Sequence, residues 1–435
     1  MRKYIVYLLI LAVLVIFFIA LQKIITQKKE TFIFAGLLYP GKLIGYKYEN
    51  GDFTKVLIDD LSPEVVMDIK VGDIYNEGKS VIVAAINDPS YKSKRCIVKI
   101  YEKVKDGFKA TVLDELKEIF CRDLEIGDAY NTGENVIVLG THGWGMIKTY
   151  RWNKNEKRWE SEIVAINITG EMDRNQSRLV LTQPLPYHTA VHTVEIGDVN
   201  GDGKNEIIAS HGTPNTYLKG PPESWIGVYS YKNGKWEREI AGHLDNRQHR
   251  RVKIGKNIYG DDRNVIVSGT FPNAILITYE FKNGSWEKRI VDEHVGADNN
   301  KAIAVADFDN DGKDEIVVGT DPDGKVIYYD FTGKDFTKTE IDNLKKVLKI
   351  EKELAVAGFD AVAYDIDKDG QDEIIMAVVA VDPYLLTKEA REKGSSGWLE
   401  SRDGALIIYK KVGENWVRKI IDRGPYWSLC VGEIY

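Results

Sequence analysis

Cysteine is scarce. Cys96, Cys121 and Cys430 are the only three in 435 residues, too few for a disulfide framework, and each sits in an apolar, strand-like run that suggests a buried thiol. Positive charge is not in excess either. The chain has 59 Lys and Arg against 66 Asp and Glu, a net charge of -7, which argues against a nucleic-acid binder. No Ser-His-Asp order, nucleophile elbow, phosphate-cradling glycine loop or CxxC pair is present. Long hydrophobic runs are missing with one exception, the 18 uncharged positions at 4–21. As a helix this run is roughly 27 Å long, close to the thickness of a bilayer core. A cleaved signal peptide would have a shorter core ending at a small-x-small site, and FFIALQK offers none. The expectation is an uncleaved single-pass anchor and linker at 1–30, with residues 31–435 extracytoplasmic.

What is abundant is a repeated unit. An aromatic follows a hairpin turn seven times: Phe53, Phe108, Trp159, Trp236, Trp286, Phe336 and Trp416. The strand before each turn carries a tyrosine, in order Tyr46, Tyr101, Tyr150, Tyr229, Tyr279, Tyr328 and Tyr409. Asn-Gly, Asp-Gly or similar pairs join the two, a strong hairpin signal. Ahead of each hairpin lie two apolar strands around a tight turn, as in IKVGDIYNEGKSVIVAA. Four strands every 50–70 residues is the layout of propeller blades. Residues 32–60 supply only strands two to four of a unit, and the terminal WSLCVGEIY supplies a lone first strand. Joined, they complete a seventh blade and hide the sheet edges. The expected fold class is therefore all-β, a seven-bladed β-propeller over 31–435 preceded by one transmembrane helix.

Three of the first turns are chemically distinctive: DVNGDGKNE at 198–206, DFDNDGKDE at 307–315 and DIDKDGQDE at 365–373. Oxygen-bearing side chains fall at loop positions one, three, five and nine with Gly at six, a hard-oxygen set that suits Ca²⁺. An EF-hand would need a Glu at position twelve, where this chain has Ala209, Val318 and Met376. These units resemble the FG-GAP/VCBS repeats of integrin-α-like propellers. The resemblance implies about three calcium sites. Their ligands would be Asp198, Asn200, Asp202, Glu206 and the Lys204 carbonyl; Asp307, Asp309, Asp311, Glu315 and the Lys313 carbonyl; and Asp365, Asp367, Asp369, Glu373 and the Gln371 carbonyl. Elsewhere Tyr75, Val81, Tyr130, Val136 and Lys256 replace ligands.

In a propeller the one-to-two and three-to-four turns share a face. All the long insertions (168–187, 211–224, 343–354 and 380–403) fall on the other. Rigid scaffolds carry binding residues on such loops. Six residues before the first loop position the seven first strands hold Met67, Arg122, His192, Arg250, Lys301, Phe359 and Trp427. Neighbouring slots add Asp68, Asp123, Asp360, His249 and Tyr426, and second strands end at His142, His211, Phe271 and Asp321. With His188, five of the seven histidines map to this rim. Cations here suit a carboxylate or an acidic sugar, while neutral imidazoles suit a transition metal. Trp144, Trp398 and Trp427 are the candidates for stacking.

Three functions follow from these features. The first is a membrane-anchored module, monomeric, binding a protein or glycan through His142, His249, Lys301, Asp321 and Trp427. The second is a polysaccharide lyase or sugar dehydratase, with His192 or His211 as base and Arg122 or Arg250 steadying an enolate-like charge. The third is a scaffold subunit of a membrane complex.

Overall fold

The inner strand of every blade breaks step at one residue, and the architecture is arranged around that break. The computed structural model describes residues 29–435 except 89–94, 118, 167–188, 213–222, 296–297, 350–353, 388, 391–392 and 394–396. Blade one runs Val65–Gly72, Val81–Asn87, Arg95–Val104 and Gly107–Lys117. Blade two runs Phe120–Gly127, Val136–Gly143, Met146–Asn153 and Arg158–Ile166. Blade three is Thr189–Gly197, Glu206–Gly212, Glu223–Lys232 and Lys235–Asp245. Blade four is Gln248–Lys256, Asn264–Phe271, Leu276–Lys282 and Ser285–Asp292. Blade five comprises Asn299–Ala306, Glu315–Asp321, Lys325–Phe331 and Phe336–Asn343. Blade six comprises Ala355–Tyr364, Glu373–Val381, Asp403–Val412 and Asn415–Arg423. Blade seven takes its inner strand from the C-terminus: Tyr426–Ile434 pairs antiparallel with Glu30–Leu37, followed by Lys42–Glu49 and Asp52–Asp60. Each inner strand packs against that of the next blade, and the seventh returns to the first. The ring is closed: a seven-bladed β-propeller.

The break is a β-bulge. Pairing between first and second strands skips Met67, Arg122, His192, Arg250, Lys301, Phe359 and Trp427. A bulge re-aims its side chain and bends the strand. It also turns the next residue towards the neighbouring blade. Asp68 accepts from the Leu124 N–H (2.7 Å), Asp123 from Val194 (2.8 Å), Thr193 from Val252 (3.1 Å) and Asp360 from Leu429 (3.0 Å). Four blade junctions are thus clasped around the channel by one device.

The outer strands bulge as well, five residues after the aromatic. The next position is often Asp, and it accepts the tyrosine hydroxyl of the following blade: Tyr101 to Asp59 (2.9 Å), Tyr150 to Asp114 (2.8 Å), Tyr329 to Asp292 (2.7 Å), Tyr46 to Asp422 (2.5 Å). Tyr409 faces Asp342 without closing the bond. In blade five the repeat tyrosine is therefore Tyr329, opposite Lys338, not the expected Tyr328. Two junctions lack the acid, having Ala165 and Gly242. A methyl on Gly242 would lie 2.3 Å from the Tyr279 ring, so the residue must stay bare.

Two expectations are corrected. The transmembrane helix at 4–21 lies outside the described residues, and among the described residues no helix is long and apolar enough to cross a membrane. Over the described residues the fold class is all-β, and the single-pass membrane localisation expected from that helix finds no support in them. An apolar run read alone cannot tell a span from other uses of the same residues. The cysteines are not all thiols, because Cys96 and Cys121 form a disulfide with Cα atoms 4.8 Å apart. It ties the third strand of blade one to the inner strand of blade two. Spacing along the chain hid this, since the pair meets only across a blade junction. Cys430 is a buried free thiol that burial holds above its ordinary range. Cys96→Ser with Cys121→Ser is expected to lower stability by about 3 kcal/mol, the loop-closure value for a link of this span. Thermal unfolding with and without reductant checks it: reductant should shift the native protein and leave the variant unchanged.

Candidate functional site

The seven bulged side chains meet. Met67, Arg122, His192, Arg250, Lys301, Phe359 and Trp427 line one cavity at the channel mouth, together with Asp123 and Arg251. Its volume is about 20 Å³, room for about one water. The mouth is divided. Blades two to five contribute Arg122, His192, Arg250 and Lys301, while blades six, seven and one contribute Phe359, Trp427 and Met67. The Phe359 and Trp427 rings lie 3.8 Å apart between centroids, and the Lys301 ammonium sits 3.8 Å from the Phe359 ring centre. Asp321 stands 3.4 Å from Lys301 and is itself held by Asn299 at 3.1 Å.

The floor is a strut that sequence reasoning missed. Arg251 spans the channel, donating to Asp123 (3.2 Å) and Asp360 (2.9 Å), while its Nε donates to the Lys301 carbonyl (2.9 Å). The signal was present, since the position after the bulge is Asp in blades one, two and six and Arg only in blade four. Burial pushes Asp68, its neighbour in this layer, up to about 8. Below it Lys70 pairs with Glu125 (3.1 Å) and Lys253 with Glu195 (2.6 Å), so charged side chains fill the bore.

The histidines divide into two kinds. His142 and His192 belong to the mouth, 3.2 Å apart, because the end of blade two's second strand pairs with the start of blade three's first. Burial, then the nearby guanidinium groups, hold His142 well below the ordinary imidazole range. For His192 burial comes first and Arg250, 3.2 Å away, second. Both rings are neutral at neutral pH. Burial also pulls Lys301 down to about 7, against the attraction of Asp321.

His211 and His249 are elsewhere. His211 Nε2 meets the Tyr229 hydroxyl at 2.8 Å, and His249 Nε2 meets Tyr279 at 3.4 Å. These are the two tyrosines whose junctions lack an aspartate, so each histidine stands in for the missing acceptor. Both are fully buried, and burial depresses each to about 3. Trp144 packs against the core between blades one and two. His188 lies outside the described residues, as does the side chain of Trp398.

The acidic loops lie on the opposite face. In the second loop, oxygens of Asp307, Asp309, Asp311 and Glu315 all lie within 4.8 Å of one another, and Asp365, Asp367 and Glu373 do the same in the third. These sets fit a divalent hard cation. Gly312 and Gly370 take φ of 88° and 92°, letting the loop N–H groups of residues 312 and 370 reach the first aspartate of each. Burial and the adjacent carboxylates push Glu315 up to about 8. The first loop is poorer, because Asn200 turns its amide N–H to Glu206 at 2.9 Å. In the third loop Lys410 inserts an ammonium among Asp367 (2.5 Å), Asp369 (2.6 Å) and Glu373 (2.8 Å). Among the described residues, no histidine-containing group of three such ligands gathers at the mouth.

The FG-GAP-like repeat family matches residues 307–376, the span of the second and third loops, and the chain carries that repeat. No curated protein matches in sequence. A solved structure from Lactobacillus plantarum is similar over 94% of this chain and 100% of its own, at 8% identity and a TM-score of 0.53. Saccharomyces cerevisiae Sqt1 aligns over 90% of each chain at 13% identity and a TM-score of 0.45. The exotype rhamnogalacturonan lyase YesX aligns over 88% of this chain and 71% of its own, at 14% identity and a TM-score of 0.34. The first of these shares the fold, and at such identities likeness extends no further.

Two outcomes are expected. Glu206 and Glu315 sit at about 7 and about 8 against an ordinary 4.5, so between those values the folded chain binds more protons than the unfolded one. Stability of divalent-stripped protein should therefore fall as pH rises across that window, and calcium should remove the slope, as read by chemical denaturation. His211→Phe should cost about 1–3 kcal/mol by stranding the Tyr229 hydroxyl. Tyr229→Phe in the same chain should recover part of that loss.

Proposed function

We propose that this chain is a calcium-binding propeller module that captures a protein or glycan ligand on its insertion-bearing face. The observation that carries the reading is the bulge ring. Seven strands spend their one irregularity on aiming a side chain at the same opening, on the face where the long insertions fall. Ridges of ordinary pairing would have left those positions in the sheet. Calcium in this reading holds the far face together and does not touch the ligand. The Asp307 loop would bind it by displacing Lys411 from Asp309 and Lys313 from Asp311, and the Asp365 loop by displacing Lys410. A transition metal at the mouth would have His142 and His192 as its ligands, with the third to come from outside this pair.

The enzyme reading rests on His192, a neutral imidazole beside Arg250. Burial and that guanidinium weaken it as a base, which favours binding over proton abstraction. The scaffold reading gives the mouth no role.

Full-length protein probed against immobilised glycans and candidate proteins tests the proposal. Binding should survive Asp309→Asn, on the far face, and be lost with Arg250→Asp or with removal of 384–399. Binding insensitive to both mouth and insertion changes would sink the reading. Release of an unsaturated sugar product, abolished by His192→Ala, would replace it with the lyase.

A further inference from the structure

Resting on the calcium part of that reading, we infer that Lys410 and Lys411 are tethered cations that compete with calcium for the third and second acidic loops and so set its affinity there. The two lysines are neighbours on one strand, Asp403–Val412 of blade six. Successive side chains of a strand point to opposite faces. Lys410 therefore turns to its own blade, where its ammonium meets Asp367 (2.5 Å), Asp369 (2.6 Å) and Glu373 (2.8 Å). Lys411 turns to blade five, where it meets Asp309 (2.9 Å) and the Tyr328 hydroxyl (3.2 Å). One strand thus places a positive charge in each of two loops that belong to different blades.

Other blades show what these two positions do where no acidic loop is present. Each third strand sets its repeat tyrosine opposite an isoleucine, as Tyr409 faces Ile374 and Tyr329 faces Ile316, so the next two residues are equivalent from blade to blade. In three blades the second of them brings an aromatic ring to the tyrosine of the preceding blade's turn: Trp152 to Tyr75 (5.1 Å between centroids), Tyr231 to Tyr130 (4.7 Å) and Phe331 to Tyr259 (4.9 Å). Where the turn has Asp309, the ring gives way to Lys411. The first position answers the charge of its own turn in the same way: Glu280 faces Arg263 (2.8 Å), and Lys410 faces carboxylates. Blade five differs, with Asp330 there, so its loop takes its cations from Lys411 and from its own Lys313, 2.6 Å from Asp311.

An ammonium is an incomplete occupant of such a set. It brings one charge and directed donors, whereas Ca²⁺ brings two charges and takes about six to eight oxygens in a flexible geometry. The third loop shows the shortfall. Glu373 is 2% exposed and its Oε1 lies 2.8 Å from the Lys410 nitrogen, yet that oxygen is not aligned for a hydrogen bond. A cation without directional demands satisfies a buried carboxylate oxygen left in this way. Calcium entering either loop first separates an ion pair. Because the lysine is tethered, it stays beside the site as a competitor at high effective concentration.

Calcium titration calorimetry on the full-length protein, chelated beforehand, tests this with Lys410→Met, Lys411→Met and the two combined, since Met keeps the stem and removes the charge. Each single change should tighten calcium binding about tenfold at one site, and the double change should tighten both. Lys345→Met, at an exposed position of the short helix 344–348, removes the same charge outside the loops and should leave the affinity as it is. Thermal midpoints show whether each variant folds. The chelated Lys410 and Lys411 variants should lose stability and regain more of it with calcium than the native chain does. Calcium bound with equal affinity by the native chain and by both loop-lysine variants overturns the inference and leaves the calcium sites standing. Tightening that Lys345→Met reproduces overturns it too, because net charge alone would then be responsible. No calcium taken up by any form overturns the sites and the inference together. Uptake by the loop-lysine variants alone supports the inference at its limit, with the lysines excluding the metal.

Discussion

One extra residue in each inner strand governs this molecule. A strand that paired without interruption would put its side chains alternately into the two faces of its own blade. The bulge breaks that alternation at one height around the ring, freeing seven side chains for the channel mouth. The residue that follows is handed to the neighbouring blade as a clasp. Asp68, Asp123, Thr193 and Asp360 each satisfy a backbone N–H that would otherwise be stranded in a buried junction. Aim and assembly are therefore one feature, and a blade cannot lose the first without loosening the second.

The outer layer repeats the solution with different chemistry. Tyrosine hydroxyls reach the aspartates that follow the outer bulges, and where blades two and three end in Ala165 and Gly242 the acceptor is supplied instead by His211 and His249. A polar junction of this kind tolerates exchange of one partner provided another acceptor replaces it. Two histidines that look like site residues on composition are consumed by this requirement. His142 and His192 are not, because they lie at the rim, where the sheets of blades two and three merge.

Electrostatics then sorts the channel by depth. Paired Lys and Glu side chains fill the lower bore, the Arg251 strut closes the middle, and the cationic arc remains at the top facing an aromatic one. Each lower layer pairs its charges within itself, Lys70 with Glu125, Lys253 with Glu195 and Arg251 with Asp123 and Asp360. The far face is organised separately by its acidic loops and by asparagines bridging adjacent turns, such as Asn76 accepting from Asn135 N–H at 2.7 Å. That separation keeps the acidic loops of the far face apart from the channel mouth.

Much of this was legible from residues alone. Hairpin turns, the aromatic after each turn and the split blade are local patterns, and local geometry decides them. Counting six residues back from each loop also found all seven mouth residues, because the repeat holds the bulge at a constant distance from the turn. What the sequence could not decide depends on contacts between blades. The Cys96–Cys121 bond, Tyr329 in place of Tyr328, the Arg251 strut and the withdrawal of His211 and His249 into the walls are of this kind. The apolar run at 4–21 is the opposite case, since hydrophobicity alone does not say what a segment is buried against. Periodicity fixes where a side chain starts, but only the closed ring determines which neighbour it meets.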